Sequence, residues 1–231
     1  MAPWYWECKG RYLPVLLQNS CNVKLNIDHA ETLIFDLGGV ILNLDVEGAL
    51  GRIAALMNKP TLDLEETHRH YPFLRQFELG RIGEDVFRDS FRAMLNDPIS
   101  DDAIDDLWNS MLLDIPAGRL RWLESLKGKY RLVLLSNTNS IHIRRVDEMI
   151  STLSEHRQLS GLFDHFFYSY EIHLRKPDGE CFLHVLNALN LDPVRTILLD
   201  DTPVNIETAA SLNMQTLFVP QNSLDPDLWS N

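Results

Sequence analysis

Apolar residues fall into two rhythms along this chain. Short unbroken runs, Thr32-Leu33-Ile34-Phe35, Tyr130-Arg131-Leu132-Val133-Leu134-Leu135 and Arg195-Thr196-Ile197-Leu198-Leu199, each end in polar residues. Runs of this length with no polar alternation mark strands buried on both faces. Shorter runs at Phe166-Phe167-Tyr168 and Thr216 to Val219 read the same way. Between them the apolar positions recur at helical spacing, which predicts helices over Leu120–Lys127, 141–151, Glu180–Leu189 and 204–212. Strands alternating with helices imply a parallel sheet joined by right-handed crossovers, an α/β fold.

One interval breaks the alternation. Position 136 follows position 36 by 100 residues, far more than a strand-helix-strand crossover requires. The interval reads as helices over Val46–Met57, about Leu62–His70, Glu84–Leu95 and Asp101–Leu113, punctuated by Pro60, Pro72 and Pro98. Phe87, Phe91, Met94 and Leu95 share one helical stripe, as do Ile104, Leu107, Trp108, Met111 and Leu112, and such stripes are core. Ser100 is placed to cap the last of these helices. The expected organisation is an N-terminal extension over 1–30, an α/β core from 31–45 and 115–231, and a helical insertion over 46–114.

Composition narrows the function classes. The chain has 231 residues, 45% of them hydrophobic, and a formal net charge of −12. The length allows a sizeable core, and the acidity argues against nucleic acid or an anionic membrane as the main partner. Three scattered cysteines, Cys8, Cys21 and Cys181, fit reduced thiols in a cytoplasmic protein. The apolar stub Leu13-Pro14-Val15-Leu16-Leu17 is too short to span a bilayer and lacks the form of a secretory signal. The first thirty residues are expected to be a packing arm or a loose extension. Trp229 near the other end is a candidate docking residue.

The polar residues that close the apolar runs are the candidate chemistry. Asp36 stands between Phe35 and Leu37-Gly38-Gly39-Val40, a carboxylate at the strand edge where open α/β sheets bind ligands. Ser136 opens Ser136-Asn137-Thr138-Asn139, a turn whose hydroxyl and backbone N–H groups suit phosphate oxygens. Lys176 lies in Leu174-Arg175-Lys176-Pro177-Asp178, held in an extended or turn conformation by the following proline. Asp200-Asp201 ends another strand with Asn205 nearby, and adjacent carboxylates are best tolerated around a hard cation such as Mg2+. Each signal alone has a bland reading as a turn starter, a helix cap or a surface lysine.

Together and in this order, the segments Phe35-Asp36-Leu37-Gly38-Gly39-Val40, Leu135-Ser136-Asn137-Thr138-Asn139, Arg175-Lys176-Pro177-Asp178 and Leu199-Asp200-Asp201-Thr202-Pro203-Val204-Asn205 resemble the haloacid dehalogenase superfamily. The likeness covers about residues 31 to 222. It is greatest to small phosphatases of the glucose-1-phosphate phosphatase type. The resemblance implies a Rossmann-like, three-layer parallel sheet core with an inserted α-helical cap. It implies an Mg2+-dependent phosphatase acting on a small phosphorylated metabolite, with a sugar 1-phosphate as one candidate. Asp36 would be the nucleophile. Asp36, the Gly38 carbonyl, Asp200 and Asp201 would hold the metal, Ser136, Asn137 and Lys176 would hold phosphate, and Asn205 would orient the acid pair.

One departure stands out. Most phosphatases of this superfamily carry a second aspartate two positions after the nucleophile as general acid and base, and here that position is Gly38. A substrate with a good leaving group, or a proton supplied by His68, His70, Glu78 or Asp45, would each accommodate the difference. A weakly catalytic or non-catalytic phospho-ligand binding protein is an alternative, and so is a 2-haloacid dehalogenase, which needs no metal. A phosphomutase would require the acid that Gly38 lacks. The segment Phe77-Glu78-Leu79-Gly80-Arg81 is the expected seat of specificity.

Overall fold

The computed structural model describes residues 5–8, 11–14, 29–154, 156 and 158–225. Strands β1 (Tyr5–Cys8) and β2 (Arg11–Pro14) pair antiparallel, structure that the polar and aromatic run there does not announce. Residues 1–4, 9–10 and 15–28 of the expected N-terminal arm, and Trp229, lie outside the described residues.

The unbroken apolar runs become the interior of a five-stranded sheet. β3 (Thr32–Phe35) is its centre, flanked by β4 (Arg131–Ser136) and β6 (Thr196–Asp200), with β5 (His165–Tyr168) and β7 (Gln215–Phe218) at the edges. The order is β5-β4-β3-β6-β7, and every pairing is parallel. Alternate side chains leave on opposite faces. Leu33, Phe35, Leu132, Leu134, Ile197 and Leu199 pack with Leu120, Trp122 and Leu123 of α6 (Ala117–Leu126) and Val146 and Ile150 of α7 (Ser140–Leu153). Ile34, Val133, Leu135 and Leu198 pack with Phe182 and Val185 of α9 (Gly179–Leu189) and Ile206 and Ala209 of α10 (Pro203–Ser211). The result is the expected three-layer α/β arrangement. Each fully buried Leu, Ile or Phe contributes about 1.5–3 kcal/mol of transfer free energy.

Five helices fill the long interval after β3: α1 (Val46–Leu56), α2 (Leu64–His70), α3 (Pro72–Glu78), α4 (Glu84–Leu95) and α5 (Asp101–Asn109). They share an apolar cluster of their own built on Ile53, Leu74, Phe77, Phe87, Phe91 and Ile104, joined to the sheet layer by Ile141. Helix α3 was not expected, because Pro72 reads as a breaker. It is instead the first helical residue, where the missing N–H costs nothing. A short helix α8 (Ser169–Ile172) was also missed; four residues are too few to show a period. Ser100 caps α5, accepting from the Ala103 N–H at 3.2 Å. That helix stops at Asn109, short of the expected Leu113, because Met111–Asp114 pairs with Asn43–Asp45 as two antiparallel linkers. Asp45 N–H donates to Met111 O at 2.8 Å, Leu113 N–H to Asn43 O at 2.9 Å, and Asn43 N–H to Asp114 O at 2.9 Å.

The inserted helices also touch the core away from the linkers. The Ser169 hydroxyl lies 2.7 Å from Glu78 O, and His173 Nδ1 lies 2.8 Å from Leu79 O. Gly80, at φ +63°, comes so close that a Cβ there would sit 1.9 Å from Tyr170 O. Glu84 accepts from the Ser140 hydroxyl at 2.7 Å and pairs with Arg144. The His142 ring stacks on Trp108 at 5.2 Å between centroids, and burial pushes its pKa down to about 4, so the imidazole at this junction is neutral.

Candidate active site

Register brings the polar residues that close the apolar runs together. Phe35 pairs with Leu134 on one side and Leu199 on the other, so Asp36, Ser136 and Asp200 reach the same carboxyl edge. Asp36 is held there by its own N–H, which donates to Leu199 O at 2.9 Å.

Lys176 is the pivot. Although only 1% exposed, its ammonium pairs with Asp36 Oδ1 at 2.9 Å and Asp200 Oδ2 at 2.6 Å. Its backbone is fixed by a reciprocal clamp from Asn137, whose Nδ2 donates to Lys176 O at 2.8 Å and whose Oδ1 accepts from Lys176 N–H at 2.9 Å. The Lys176–Pro177 peptide is cis. The Asn137 side chain is therefore spent on aiming the lysine. Ser136 is buried at the end of β4, and Thr138 N–H donates to Ser169 Oγ at 2.9 Å.

The two adjacent acids divide the work. Asp200 is fully buried and its oxygens are engaged: Oδ1 accepts from Thr202 N–H at 2.8 Å and Asn205 Nδ2 at 2.9 Å, and Oδ2 faces Lys176. Asn205 thus orients the pair through Asp200. Asp201 is less committed, with Thr202 Oγ1 at 3.1 Å from its Oδ1. Its Oδ2 packs against Gly39, where a Cβ would lie 2.0 Å away at φ +73°. Only glycine satisfies both conditions.

Asp36, Asp200 and Asp201 each present an oxygen within 4.8 Å of the others. Three carboxylates face one ammonium, so the cluster carries excess negative charge. Lys176 has two carboxylates against it and is held firmly protonated despite its burial. Asp36 shares that single cation, so burial dominates and raises its carboxyl well above the ordinary range, with Asp200 and Asp201 adding to the effect. Burial, with Asp200 adding to it, pushes Asp201 up to about 6. Excess charge on closely spaced oxygens is the donor set a hard divalent cation requires. The turn after Asp36 suits the same purpose. Gly39 N–H donates to Leu42 O at 2.8 Å and Leu42 N–H to Leu37 O at 2.9 Å, which leaves the Gly38 carbonyl outside that pairing.

Asp36 Oδ1 takes both the Lys176 ion pair and the Leu37 N–H at 2.7 Å. Its Oδ2 has no hydrogen-bond partner among the described residues. One oxygen is anchored and the other is left unpaired.

Two supporting residues went unpredicted. Arg119 is buried, with no carboxylate in contact among the described residues; it donates to Leu224 O at 3.0 Å, Ile41 O at 3.2 Å, Asn43 Oδ1 at 2.8 Å and Asn222 O at 2.9 Å. Burial lowers its pKa. Asn222 in turn donates its N–H to Gly39 O at 2.6 Å and grips both backbone groups of Leu44, at 2.8 and 2.9 Å. A sequence signal existed for Arg119, which shares the helical stripe of Trp122, Leu123 and Leu126. Asn222 gave none.

The protein is an α/β protein with a parallel sheet whose carboxyl edge gathers three carboxylates around one buried lysine, and with inserted helices docked on that core. Residues 30–213 match the haloacid dehalogenase-like hydrolase family, and the chain belongs to it. A D-ribitol-5-phosphate phosphatase of Bacteroides thetaiotaomicron is 25% identical over 84% of this chain and 94% of its own length. The crystal structure of a haloacid dehalogenase family enzyme from the same organism is 33% identical, covers 87% of this chain and 99% of its own, and superposes with a TM-score of 0.79. That enzyme has also been crystallised with magnesium and inorganic phosphate, at 33% identity over 85% of this chain and 96% of its own with a TM-score of 0.75. Among the described residues no helix is long and apolar enough to cross a membrane.

Proposed function

We propose that the protein is an Mg2+-dependent phosphatase of small phosphomonoesters that works through an aspartyl phosphate on Asp36. The observation that carries this reading is the split of Asp36, with Oδ1 anchored by Lys176 and Leu37 N–H and Oδ2 unpaired. The phosphatase relative and the magnesium and phosphate complex of the similar enzyme support it.

Asp36 Oδ2 attacks phosphorus, splitting one hard displacement into two easier ones. Lys176, aimed by Asn137, and the Ser136 hydroxyl steady the non-bridging phosphate oxygens, where charge must be stabilised. The Asn137 backbone N–H is the group that residue has left to offer. Asp36, Asp201 and the Gly38 carbonyl would hold Mg2+, with Asp200 positioning Lys176 at their side. Bound Mg2+ would offset the repulsion between carboxylate and phosphate. Helices α1 to α5, residues 46–114, serve as the cap, and Glu78 to Gly80 are the cap residues docked on the core. A sugar 1-phosphate, with its acidic anomeric hydroxyl, agrees with a site that has Gly38 after the nucleophile.

The test is phosphate release across a panel of sugar and nucleotide phosphates. Release with millimolar Mg2+ and none with EDTA is expected. Metal-independent halide release from 2-chloropropionate would point to a dehalogenase instead.

Proton linkage gives a second check. Asp201 titrates near 6 when folded against 3.8 when exposed, so the metal-free folded state holds this proton more tightly than the unfolded state. Its stability should fall as pH rises from about 4 to about 6. Magnesium binding requires the ionised form. The rise in melting temperature on adding Mg2+ should therefore be larger at pH 8 than at pH 5. An equal rise at both would remove Asp201 from the metal site.

A further inference from the structure

The inserted helices reach the turn that opens with Ser136 through two polar side chains of the core. Tyr168 pairs with Ser136 in the register of β4 with β5, so the next residue, Ser169, stands beside that turn. It is buried. Its hydroxyl accepts from Thr138 N–H at 2.9 Å and lies 2.7 Å from Glu78 O and 3.1 Å from Thr138 O. A hydroxyl has one proton to give. The shorter contact takes it, so the proton goes to Glu78 O at the end of α3 while the oxygen holds Thr138 N–H. A carbonyl of the inserted helices and an amide of the turn are thereby joined through one oxygen atom.

The second bridge has the same form, one residue along. His142 Nε2 lies 3.2 Å from Trp108 O in α5, and its Nδ1 lies 3.1 Å from Asn139 Nδ2. A neutral imidazole has one donor and one acceptor nitrogen. Trp108 O can only accept, so Nε2 carries the proton and Nδ1 accepts from the Asn139 amide. Asn139 Oδ1 in turn accepts from His142 N–H at 3.0 Å and caps α7. Asn139 and His142 are both buried, where a lost hydrogen bond leaves a polar group unpaired. Other contacts between the inserted helices and the core fall outside the turn. His173 meets Leu79 O, Arg175 meets Glu78, and Glu84 meets Ser140 and Arg144.

We infer that Ser169 and His142 are positioning residues through which the helices of residues 46–114 brace the phosphate-binding turn, so that phosphate at the turn and the seating of these helices reinforce each other. The inference rests on the phosphatase reading, which gives the Ser136 hydroxyl and the Asn137 N–H to phosphate. Thr138 N–H belongs to the same planar peptide as the Asn137 carbonyl. Ser169 therefore fixes the peptide that follows the Asn137 N–H, and His142 fixes the side chain of Asn139 just beyond it. Coupling of this kind is reciprocal. If seated helices tighten phosphate binding by some factor, bound phosphate stabilises their seating by the same factor.

The test is hydrogen exchange with inorganic phosphate and Mg2+ as the probe. The Leu79, Gly80 and Arg81 amides are bonded within the inserted helices, to Arg75 O, Phe77 O and Gln76 O, and the Ser110 amide to Leu107 O. Such amides exchange on local opening. In the wild type, phosphate should slow exchange at both places by about 3- to 10-fold, the scale of one neutral hydrogen bond. Ser169→Ala should lose the slowing at 79–81 and keep it at 110. His142→Phe, which keeps a ring against Trp108, should do the reverse, and it carries the test by itself should Ser169→Ala not fold. Each should raise the dissociation constant for phosphate by about 3- to 10-fold. His173→Asn is the control, since it removes a bond to Leu79 O without touching the turn, and asparagine tolerates the φ of +58° there. It should speed exchange at 79–81 yet leave the response to phosphate intact. Equal slowing by phosphate in Ser169→Ala, His142→Phe and wild type would overturn the inference and leave the phosphatase reading standing. A wild type in which phosphate slows exchange at neither place would overturn it as well, and the phosphatase reading falls with it only if no ester of the panel is hydrolysed.

Discussion

Asp36→Asn should lower turnover by on the order of 10^4-fold or more, the scale of losing a covalent nucleophile, and leave the protein folded. The carboxamide matches the carboxylate in shape and can still accept from Leu37 N–H, but its oxygen is a poor nucleophile. The sign of the stability change adds a second readout. Burial and the neighbouring carboxylates hold the Asp36 carboxyl above its ordinary range, so in the metal-free protein its ionisation opposes folding above that range. Neutral asparagine removes the opposition. The metal-free variant should melt at or above the wild-type temperature at pH 8, and it should gain less from Mg2+. Phosphoenzyme should be undetectable by mass. A variant that retains turnover, or that melts well below wild type without metal, would refute the role given to Asp36.

Lys176→Met should lose both activity and stability, and the loss of stability should depend on the metal. The ammonium of Lys176, a residue only 1% exposed, is the counterion of Asp36 and Asp200 at 2.9 and 2.6 Å. Removing one partner from a buried charge cluster costs about 3–5 kcal/mol, because the remaining charges stay unpaired. For a chain of this size that is on the order of 10 °C in melting temperature. Magnesium supplies positive charge to the same oxygens, so the deficit should shrink at saturating Mg2+. Lowering the pH, which neutralises Asp36 and Asp201, should shrink it too. The deficit in kcat should persist, since the metal cannot replace the ammonium on the phosphate. Equal destabilisation with and without Mg2+ would show that Lys176 acts on packing and not on charge.

The strands and their functional ends were legible in the sequence. A parallel strand buried on both faces must be apolar at every position, so Leu33 to Phe35, Leu132 to Leu135 and Ile197 to Leu199 stand out, and the first polar residue after each run marks the edge. That logic placed Asp36, Ser136 and Asp200 on one edge, and the registers of β3 with β4 and β6 agree. The long interval after Asp36 announced the inserted helices by length alone. Helix ends were less legible: Pro72 reads as a breaker until its place at a first turn is seen, and the helix after Ser100 stops early because its last expected residues are drawn into the linker pairing.

The division of labour within the site could not be read from sequence. Asp200 and Asp201 are neighbours of one residue type, yet one is saturated by Thr202, Asn205 and Lys176 and the other has only the Thr202 hydroxyl on one oxygen, its second oxygen lying beside Gly39. Asn137 reads as a phosphate ligand, but its side chain holds the backbone of Lys176 across 39 positions. Leu44 reads as an ordinary apolar linker residue, yet Asn222, 178 positions away, grips both of its backbone groups. Arg119 fixes the turn after Asp36 from 78 positions off. Burial leaves a periodic trace along the chain because every turn of a helix and every second residue of a strand meets the same environment. A hydrogen bond between elements that cross once leaves no such trace, so the chain itself determined the sheet and the edge where chemistry gathers, while only the packing of distant segments decided which group each polar residue holds.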